Sequence, residues 1–598
     1  MDPQTARQQY QIRLDSWRAA DERSRTLHRQ LGNARLLTGL AALLIAALAL
    51  GAGWISAWWL LLPLAVFVVL AVVHDRVDVR RLASVRGVTL YERGLARMEN
   101  RWVGTGNSGE AFRDPKHIYA DDLDLFGRGS LFELLSTSRT AAGDRALANW
   151  LLEPGTPDQV LARQQAVAEL QPRVDLREDL ALIGDDVRGA VDAKTLAAWG
   201  TRPAVQFFPG ARWTALALGS AAVLALVLFL AHVVDLKPFF AVVLAELVFG
   251  LLVRNSVVQV IDAVSTPANE LRLLGLLLER VERESFTSDA LTALTQSLKV
   301  DRATASAHIR HLERLVEYLD SARHHQFFRL IAAAVVWIPQ FAIAIEAWRS
   351  ECGPHIGIWM SAVGEFEALC SLACYAYEQP GTIFPQLLES GGPIFDASEL
   401  RHPLIPAGDA IPNDVRLDLD CRLWIVSGSN MSGKSTLLRA VGLNTVLAWA
   451  GAPVTCAKLR VSPLRIGASM RANDSLVDHR SRFYAEISRL REIVDLARAG
   501  LPTLFLLDEL LSGTNSHDRR IGADALVRGL VNRGAIGLVT THDLALAAIT
   551  GALGSLARNV HFEDRLEGGE ILFDYRLREG VVTRSNALEL MRAVGLDV

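Results

Sequence analysis

Residues 36–73 carry no charge at all. At about 1.5 Å rise per residue, that run is long enough to pass twice through an apolar layer about 30 Å thick. Gly51, Gly53, Trp54, Trp58 and Trp59 fall near its middle, where a turn with interfacial tryptophans belongs. A second hairpin pattern covers 213–234, turns at Asp235, Leu236, Lys237 and Pro238, and returns over 239–253 with Glu246 inside the arm. A pair of buried core helices is the alternative for either hairpin, and it bears more on the second. An ionisable group inside a span is a functional candidate, whereas in a core helix Glu246 would be a buried acid. A third apolar run, 330–345, is interrupted by Pro339 and Gln340 and reads as a buried soluble helix.

The flanks set an orientation. Arg18, Arg23, Arg25, Arg29 and Arg35 precede the first hairpin and Arg76, Arg80, Arg81 and Arg86 follow it, while its turn has neither Lys nor Arg. Positively charged flanks stay on the cytoplasmic side, so both ends are expected there, in an inner (cytoplasmic) membrane crossed several times. A cleaved signal peptide fits poorly, because about 35 mostly polar residues come first and a second span follows at once.

Between and after the hairpins the period is helical. Ala146, Leu147, Trp150 and Leu151 recur one and four residues apart, Pro154 and Gly155 break the run, and Thr156-Pro157-Asp158 predicts the cap of a helix to Leu170. Leu271, Leu274 and Leu278 form one helical face and Ile309, Leu312, Leu315, Val316 and Leu319 another, with no alternating strand pattern over 256–350. His308, His311, His324 and His325 lack a paired carboxylate on one face and read as a solvated helix surface. After Pro403 the pattern changes. Short apolar runs at 423–426, 503–507 and 537–541 read as strands of a parallel sheet buried on both faces.

Composition adds limits. Half the residues are hydrophobic and mean hydropathy is +0.21, high for a chain of 598 residues that is soluble throughout. A formal charge of −4 gives no overall nucleic-acid signal. Cys352, Cys370, Cys374, Cys421 and Cys456 form no C-x-x-C and read as buried thiols in a reducing compartment.

The chemistry lies at the strand ends. The 423–426 run enters Gly428, Ser429, Asn430, Met431, Ser432, Gly433, Lys434 and Ser435, a G-x-x-x-x-G-K-S loop followed from Thr436 by a helical run. In such a loop backbone N–H groups curl around phosphate oxygens, Lys434 reaches the β/γ-phosphates and the Ser435 hydroxyl coordinates Mg²⁺. The 503–507 run ends in Asp508, beside the metal, and Glu509, placed to polarise an attacking water. The third strand ends at His542, a candidate sensor of the γ-phosphate.

Residues 428–436, G-S-N-M-S-G-K-S-T, resemble the phosphate loop of the MutS mismatch-repair ATPases, G-P-N-M-G-G-K-S-T. Arg401-His402-Pro403, Ile411-Pro412-Asn413-Asp414, Ser481-Arg482-Phe483-Tyr484-Ala485-Glu486, Gly513-Thr514 and Thr541-His542 match in the family's order. Upstream, Thr140, Gly143, Trp150-Leu151 and Arg163-Gln164-Gln165 resemble the start of its core domain, so the likeness covers about 120–210 and 360–598. It implies paired ATPase domains in a homodimer, Ser481 approaching the partner's nucleotide, and a loop at Ile411 packing on adenine. The departures are Ser429 and Ser432 for Pro and Gly, and Leu511-Ser512 for Gly-Arg. No counterpart of the mismatch-reading domain, the DNA clamp or a C-terminal dimerisation helix pair is visible.

The expected fold is therefore an α/β P-loop NTPase domain, ABC/MutS-like, joined to an all-α core with transmembrane helices. Its expected parts are a cytoplasmic segment 1–35, hairpin 36–74, helical core 75–210, hairpin 211–254, helical lever 255–394 and ATPase domain 395–598. The favoured function is a membrane-anchored ATPase with ATP, Mg²⁺ and membrane lipid as partners. A membrane-attached DNA-repair ATPase is the alternative. An ABC exporter fits less well, since Leu511-Ser512-Gly513-Thr514 follows the Asp-Glu strand while that family's L-S-G-G-Q precedes it. A scaffold that binds ATP without turnover conflicts with Glu509.

Overall fold

The computed structural model describes residues 3–51, 53–183, 193–300, 303–324, 336–389, 391–429, 431–470, 482–511, 514–542, 544–567 and 570–582. The chain divides into two compact units, one of residues 1–137, 147–182 and 369–598, the other of 138–146 and 183–368. The architecture is mixed α/β with a helical core.

The first unit holds a six-stranded sheet. Its strands are β1 (Leu423–Ser427), β2 (Arg465–Ser469), β3 (Thr503–Leu507), β4 (Ile536–Thr541), β5 (Ala557–Glu567) and β6 (Glu570–Glu579), in the order β6-β5-β1-β4-β3-β2. All neighbours are parallel except β5 and β6. Every residue of β1, β3 and β4 is buried, which is why these runs are continuously apolar. Leu423, Ile425, Phe505, Leu507 and Val539 pack with Ile493, Val527 and Leu530 from the helices. Since β4 lies between β1 and β3, the carboxyl ends of three adjacent strands open side by side. A smaller four-stranded sheet, Gln386–Leu387, Lys458–Val461, Phe395–Leu400 and Asn413–Leu417, stands beside it.

The same unit carries a long antiparallel helix pair, Pro3–Ala46 and Leu61–Met98. The polar segment expected over 1–35 is thus continuous with the first apolar arm. Leu37, Leu40, Leu43 and Leu44 are exposed on one helix, and Leu62, Leu64, Val68 and Val69 on the other. At the base, Ala6, Tyr10, Leu14, Tyr91, Leu95 and Tyr377 form a small core. Beside it, Arg97 grips Glu378 with two bonds of 2.5 and 2.6 Å.

The helix Pro157–Leu170 starts where the Thr156-Pro157-Asp158 signal puts it. Thr156 and Gln159 form a reciprocal capping box, at 3.4 and 3.1 Å. Thr156→Ala should lower stability by about 1 kcal/mol. A shift of the melting curve smaller than the scatter between preparations would count against that cap.

The second unit is helical, built on Ala211–Leu230, Lys237–Glu282, Ala305–His324 and Trp337–Cys352. Leu271, Leu274, Leu278, Ile309, Leu312, Leu315 and Leu319 are buried together with Trp348. Val316, expected on that face, is only partly buried. The region read as wholly helical contains a two-residue antiparallel pair, Lys299–Val300 with Ala303–Thr304, too short to register as alternation. Glu367 accepts from the hydroxyl and N–H of Thr140 (2.5 and 3.1 Å), and a Cβ on Gly143 would lie 2.3 Å from its carboxylate.

Among the described residues, five helical stretches are long and apolar enough to cross a membrane: Gln4–Gly51, Ala57–Met98, Ala211–Leu230, Lys237–Val264 and Trp337–Glu378. In the first two 0% and 6% of the apolar window is buried, in the next two 22%, and in the last 72%. The last window is mostly buried; in the 330–345 run Ala342, Ile343 and Ile345 are buried and 337–341 partly so, while residues 330–335 lie outside the described residues. His308 is held by the Val300 carbonyl and Cys352 Sγ (3.3 and 3.4 Å), and no three metal-ligating groups cluster among the described residues. His325 and the side chain of His324 lie outside them.

Candidate functional site

At the exit of β1 the loop turns through Gly433 (φ 102°), and Lys434 opens the buried helix Lys434–Ala450. Lys434 is 5% exposed, and its Nζ donates to the carbonyls of Gly428 and Ser429 at 2.9 and 2.8 Å. Burial pushes its pKa down, while Glu509 and Asp508 pull it up. A Cβ on Gly428 would sit 2.7 Å from Ser432 Oγ, so the loop is too tight for a side chain there.

Asp508, just past β3, is held by two hydroxyls. Ser435 Oγ donates to Oδ2 at 2.5 Å, and Thr540 Oγ1, from β4, bonds Oδ1. The same Thr540 oxygen accepts from the N–H of Glu509 at 3.0 Å. Thus one threonine on the middle strand orients both acidic residues. Glu509 has φ 50°, a left-handed conformation unusual for a residue with a side chain. Its Oε1 lies 3.6 Å from His542 Nδ1, and both side chains face solvent in part. The turn continues to Leu511 (φ 54°), whose N–H donates to Glu486 Oε1 at 2.5 Å.

Beside the loop lies a cavity of about 350 Å³, lined among others by His402, Ile411, Asn413, Met431, Thr436, Phe562 and Tyr575. Asn413 fixes one wall, donating to the Tyr575 carbonyl at 3.0 Å and accepting from Leu577 N–H at 2.7 Å. Burial, helped by Arg439, pushes the His402 pKa down to about 4, so its ring is neutral at ordinary pH.

The structure therefore brings Gly428, Ser429, Ser432, Gly433, Lys434, Ser435, Asp508, Glu509 and His542 to one rim. Met431 and Thr436 lie on the cavity side with Ile411. Asn430 and Ser481 lie outside the described residues, as does Ser512-Gly513. The sequence reading missed Thr540, Tyr575 and Phe562 as site residues and did not separate His402 and Asn413 from their motifs. A threonine near the end of an otherwise apolar strand was the available signal for Thr540. Nothing in the pattern marked Tyr575.

The groups present fit a magnesium-bound triphosphate. Among the described residues, Ser429 Oγ and Ser432 Oγ are buried without a hydrogen-bond partner, hydroxyls available to phosphate oxygens. A serine hydroxyl against a carboxylate is the hard-oxygen donor set that magnesium takes. Thr540→Val should lower turnover about 10- to 100-fold, since second-layer hydrogen bonds to ligating groups typically matter to that extent. An unchanged kcat would mean that Asp508 is held in place without it.

Comparison with known proteins agrees with this layout. Residues 117–373 match the family MutS domain III and residues 424–597 match MutS domain V. The DNA mismatch repair protein MutS of Desulforamulus reducens is 26% identical over 505 residues, covering 78% of this chain and 58% of that protein. The MutS of Anaeromyxobacter sp. is 29% identical over 519 residues, with the same two coverages of 78% and 58%. DNA mismatch repair protein MSH3 of Phaeosphaeria nodorum is 29% identical over 320 residues, covering 52% of this chain and 27% of its own. The chain thus spans well under two thirds of the length of these relatives.

Proposed function

This chain belongs to the MutS family, and from that premise we propose that it is a membrane-anchored ATPase binding and hydrolysing MgATP at a paired, composite site. One observation carries the reading. Lys434, Ser435, Asp508, Glu509 and His542 converge from the ends of three neighbouring parallel strands, the crevice in which such sheets bind ligands.

In this reading the 395–598 segment is the P-loop ATPase domain, and the Gly428–Ser435 backbone with the Ser429 and Ser432 hydroxyls cradles the phosphates. Lys434 leaves its two carbonyl acceptors for the β/γ-phosphates. Magnesium, held by Ser435 and Asp508, would neutralise charge between those phosphates. Glu509 takes a proton from the attacking water, and His542, within reach of its carboxylate, senses the γ-phosphate side. Ile411, Asn413 and Tyr575 line the recess for the base. Ser481 of one protomer reaches the nucleotide of the other, which makes the active species a homodimer.

The exposed apolar hairpins support the anchor. Helices with unburied apolar faces of this length suit a lipid surround, and the arginine flanks favour a multi-pass inner-membrane protein with its ATPase in the cytoplasm. Residues ahead of 117, where the family match starts, form such a hairpin. The parts expected over 36–74, 211–254 and 255–394 then serve as spans and lever. The second reading, DNA repair at the membrane, is favoured by the names of the relatives. Full-length protein purified from membranes separates the two. The first reading expects Mg²⁺-dependent ATPase activity indifferent to duplex DNA, whereas mismatch-stimulated activity that falls steeply with salt would favour the second.

A further inference from the structure

Glu246 lies nine residues into the apolar stretch Lys237–Val264, about 14 Å along the helix from Lys237. Glu246, Phe249, Val253, Val257, Val260 and Val264 form a single buried stripe. Leu244, Leu247, Val248, Leu251 and Leu252 occupy the exposed side. The facing helix Ala211–Leu230 buries Ala215, Gly219 and Ala222, which carry no hydrogen-bonding side chain. Glu246 is 5% exposed, and among the described residues neither carboxyl oxygen has a hydrogen-bond partner.

Among the described residues, no charged group answers it. On its own helix Lys237, Arg254 and Asp262 are exposed, and on Ala211–Leu230 the single charge is the exposed Arg212. On Trp337–Cys352, Glu346 and Arg349 are paired at 2.6 Å. On Ala305–His324, Arg310 and Glu313 meet Glu279 and Arg272, far down the soluble end of the Lys237–Glu282 helix. The short helix Ala193–Gly200 has one charged residue, Lys194, whose side chain lies outside the described residues. An ionised carboxylate with no donor is strongly disfavoured in an apolar layer. At such burial, beside alanine and glycine, the ligand that fits is the smallest one.

We propose that Glu246 is a proton-binding site within the membrane, which takes up and releases H⁺ as ATP-driven movement parts the Ala211–Leu230 and Lys237–Glu282 helices. The inference rests on the membrane-spanning reading above. When the helices are packed the group is the neutral acid. When they separate and water enters, it gives its proton to water and becomes carboxylate. The Lys237–Glu282 helix runs without a break from Glu246 to the buried Leu271, Leu274 and Leu278, so one rod carries both the acid and the core of its unit. Pro267 removes one backbone donor within the rod and offers a place for it to bend.

The test uses full-length protein in membrane vesicles and dicyclohexylcarbodiimide, an apolar reagent. The acid proton moves to a carbodiimide nitrogen while the carboxylate oxygen bonds the central carbon, and the adduct rearranges to a stable N-acylurea. The expected result is an adduct on Glu246 by mass spectrometry, formed at a rate that falls about tenfold per pH unit once the acid titrates. MgATP should change that rate, and Glu246→Gln should remove the adduct while leaving basal ATPase activity in place. Absence of the adduct, or a rate indifferent to MgATP, overturns the proposal while the membrane reading stands. Equal modification by a water-soluble carbodiimide overturns the membrane reading itself.

Discussion

Glu509→Gln should cut ATP turnover about a thousandfold, the central value for loss of a positioned general base. Glutamine keeps the size of the side chain but loses the charge and the basicity. Glu509 is held in a left-handed backbone conformation by the bond from its N–H to Thr540, and neither feature depends on the carboxylate. The variant should therefore bind nucleotide normally while phosphate release stops. Fluorescent-nucleotide titration and a phosphate-release assay read the two quantities separately. Turnover within a few-fold of the parent would move the base elsewhere, with His542 the next group in reach at 3.6 Å from Glu509.

Glu378→Ala should destabilise the first unit by about 3–5 kcal/mol, the cost of removing one partner from a buried pair. The Arg97 and Glu378 side chains are 10% and 2% exposed, so solvent cannot replace the lost carboxylate. Among the described residues, Arg97 would keep a side-chain contact to sulfur alone, to Cys374 Sγ at 3.6 Å. The pair ties the base of the N-terminal hairpin to the helix Ile356–Glu378, and Tyr10, Tyr91 and Tyr377 pack around it. The readout is protease resistance and the melting midpoint of the detergent-purified protein. Replacing both residues with methionine should recover most of the loss, because apolar groups can fill such a site without leaving a bare charge. If the single and double variants are equally unstable, packing volume and not charge is what the pair supplies.

Much of the local structure was readable from the chain. The Thr156-Pro157-Asp158 cap, the 423–426 strand running into its glycine loop, and the apolar runs ending in Asp508-Glu509 and Thr541-His542 depend on neighbours within a few positions. The apolar hairpins were equally visible, since length and lack of charge are properties of a segment. The polar ends of those hairpins were less so. Helical period alone did not show that Pro3–Ala46 is one helix, or that Tyr10 would meet Tyr377 in a shared core.

By itself, the sequence determined the glycine-rich loop, the acidic pair, the family and the long apolar segments, because each is written in adjacent residues or a short period. Only the tertiary structure decided that β4 lies between β1 and β3, so that Thr540 holds Asp508 and Glu509 together. It also decided that Asn413 and Tyr575 wall one cavity and that Glu246 turns inward without a partner among the described residues. Those facts join residues far apart in the chain. Strand order, helix rotation and burial follow from the packing of the whole core, which no local pattern of residues encodes.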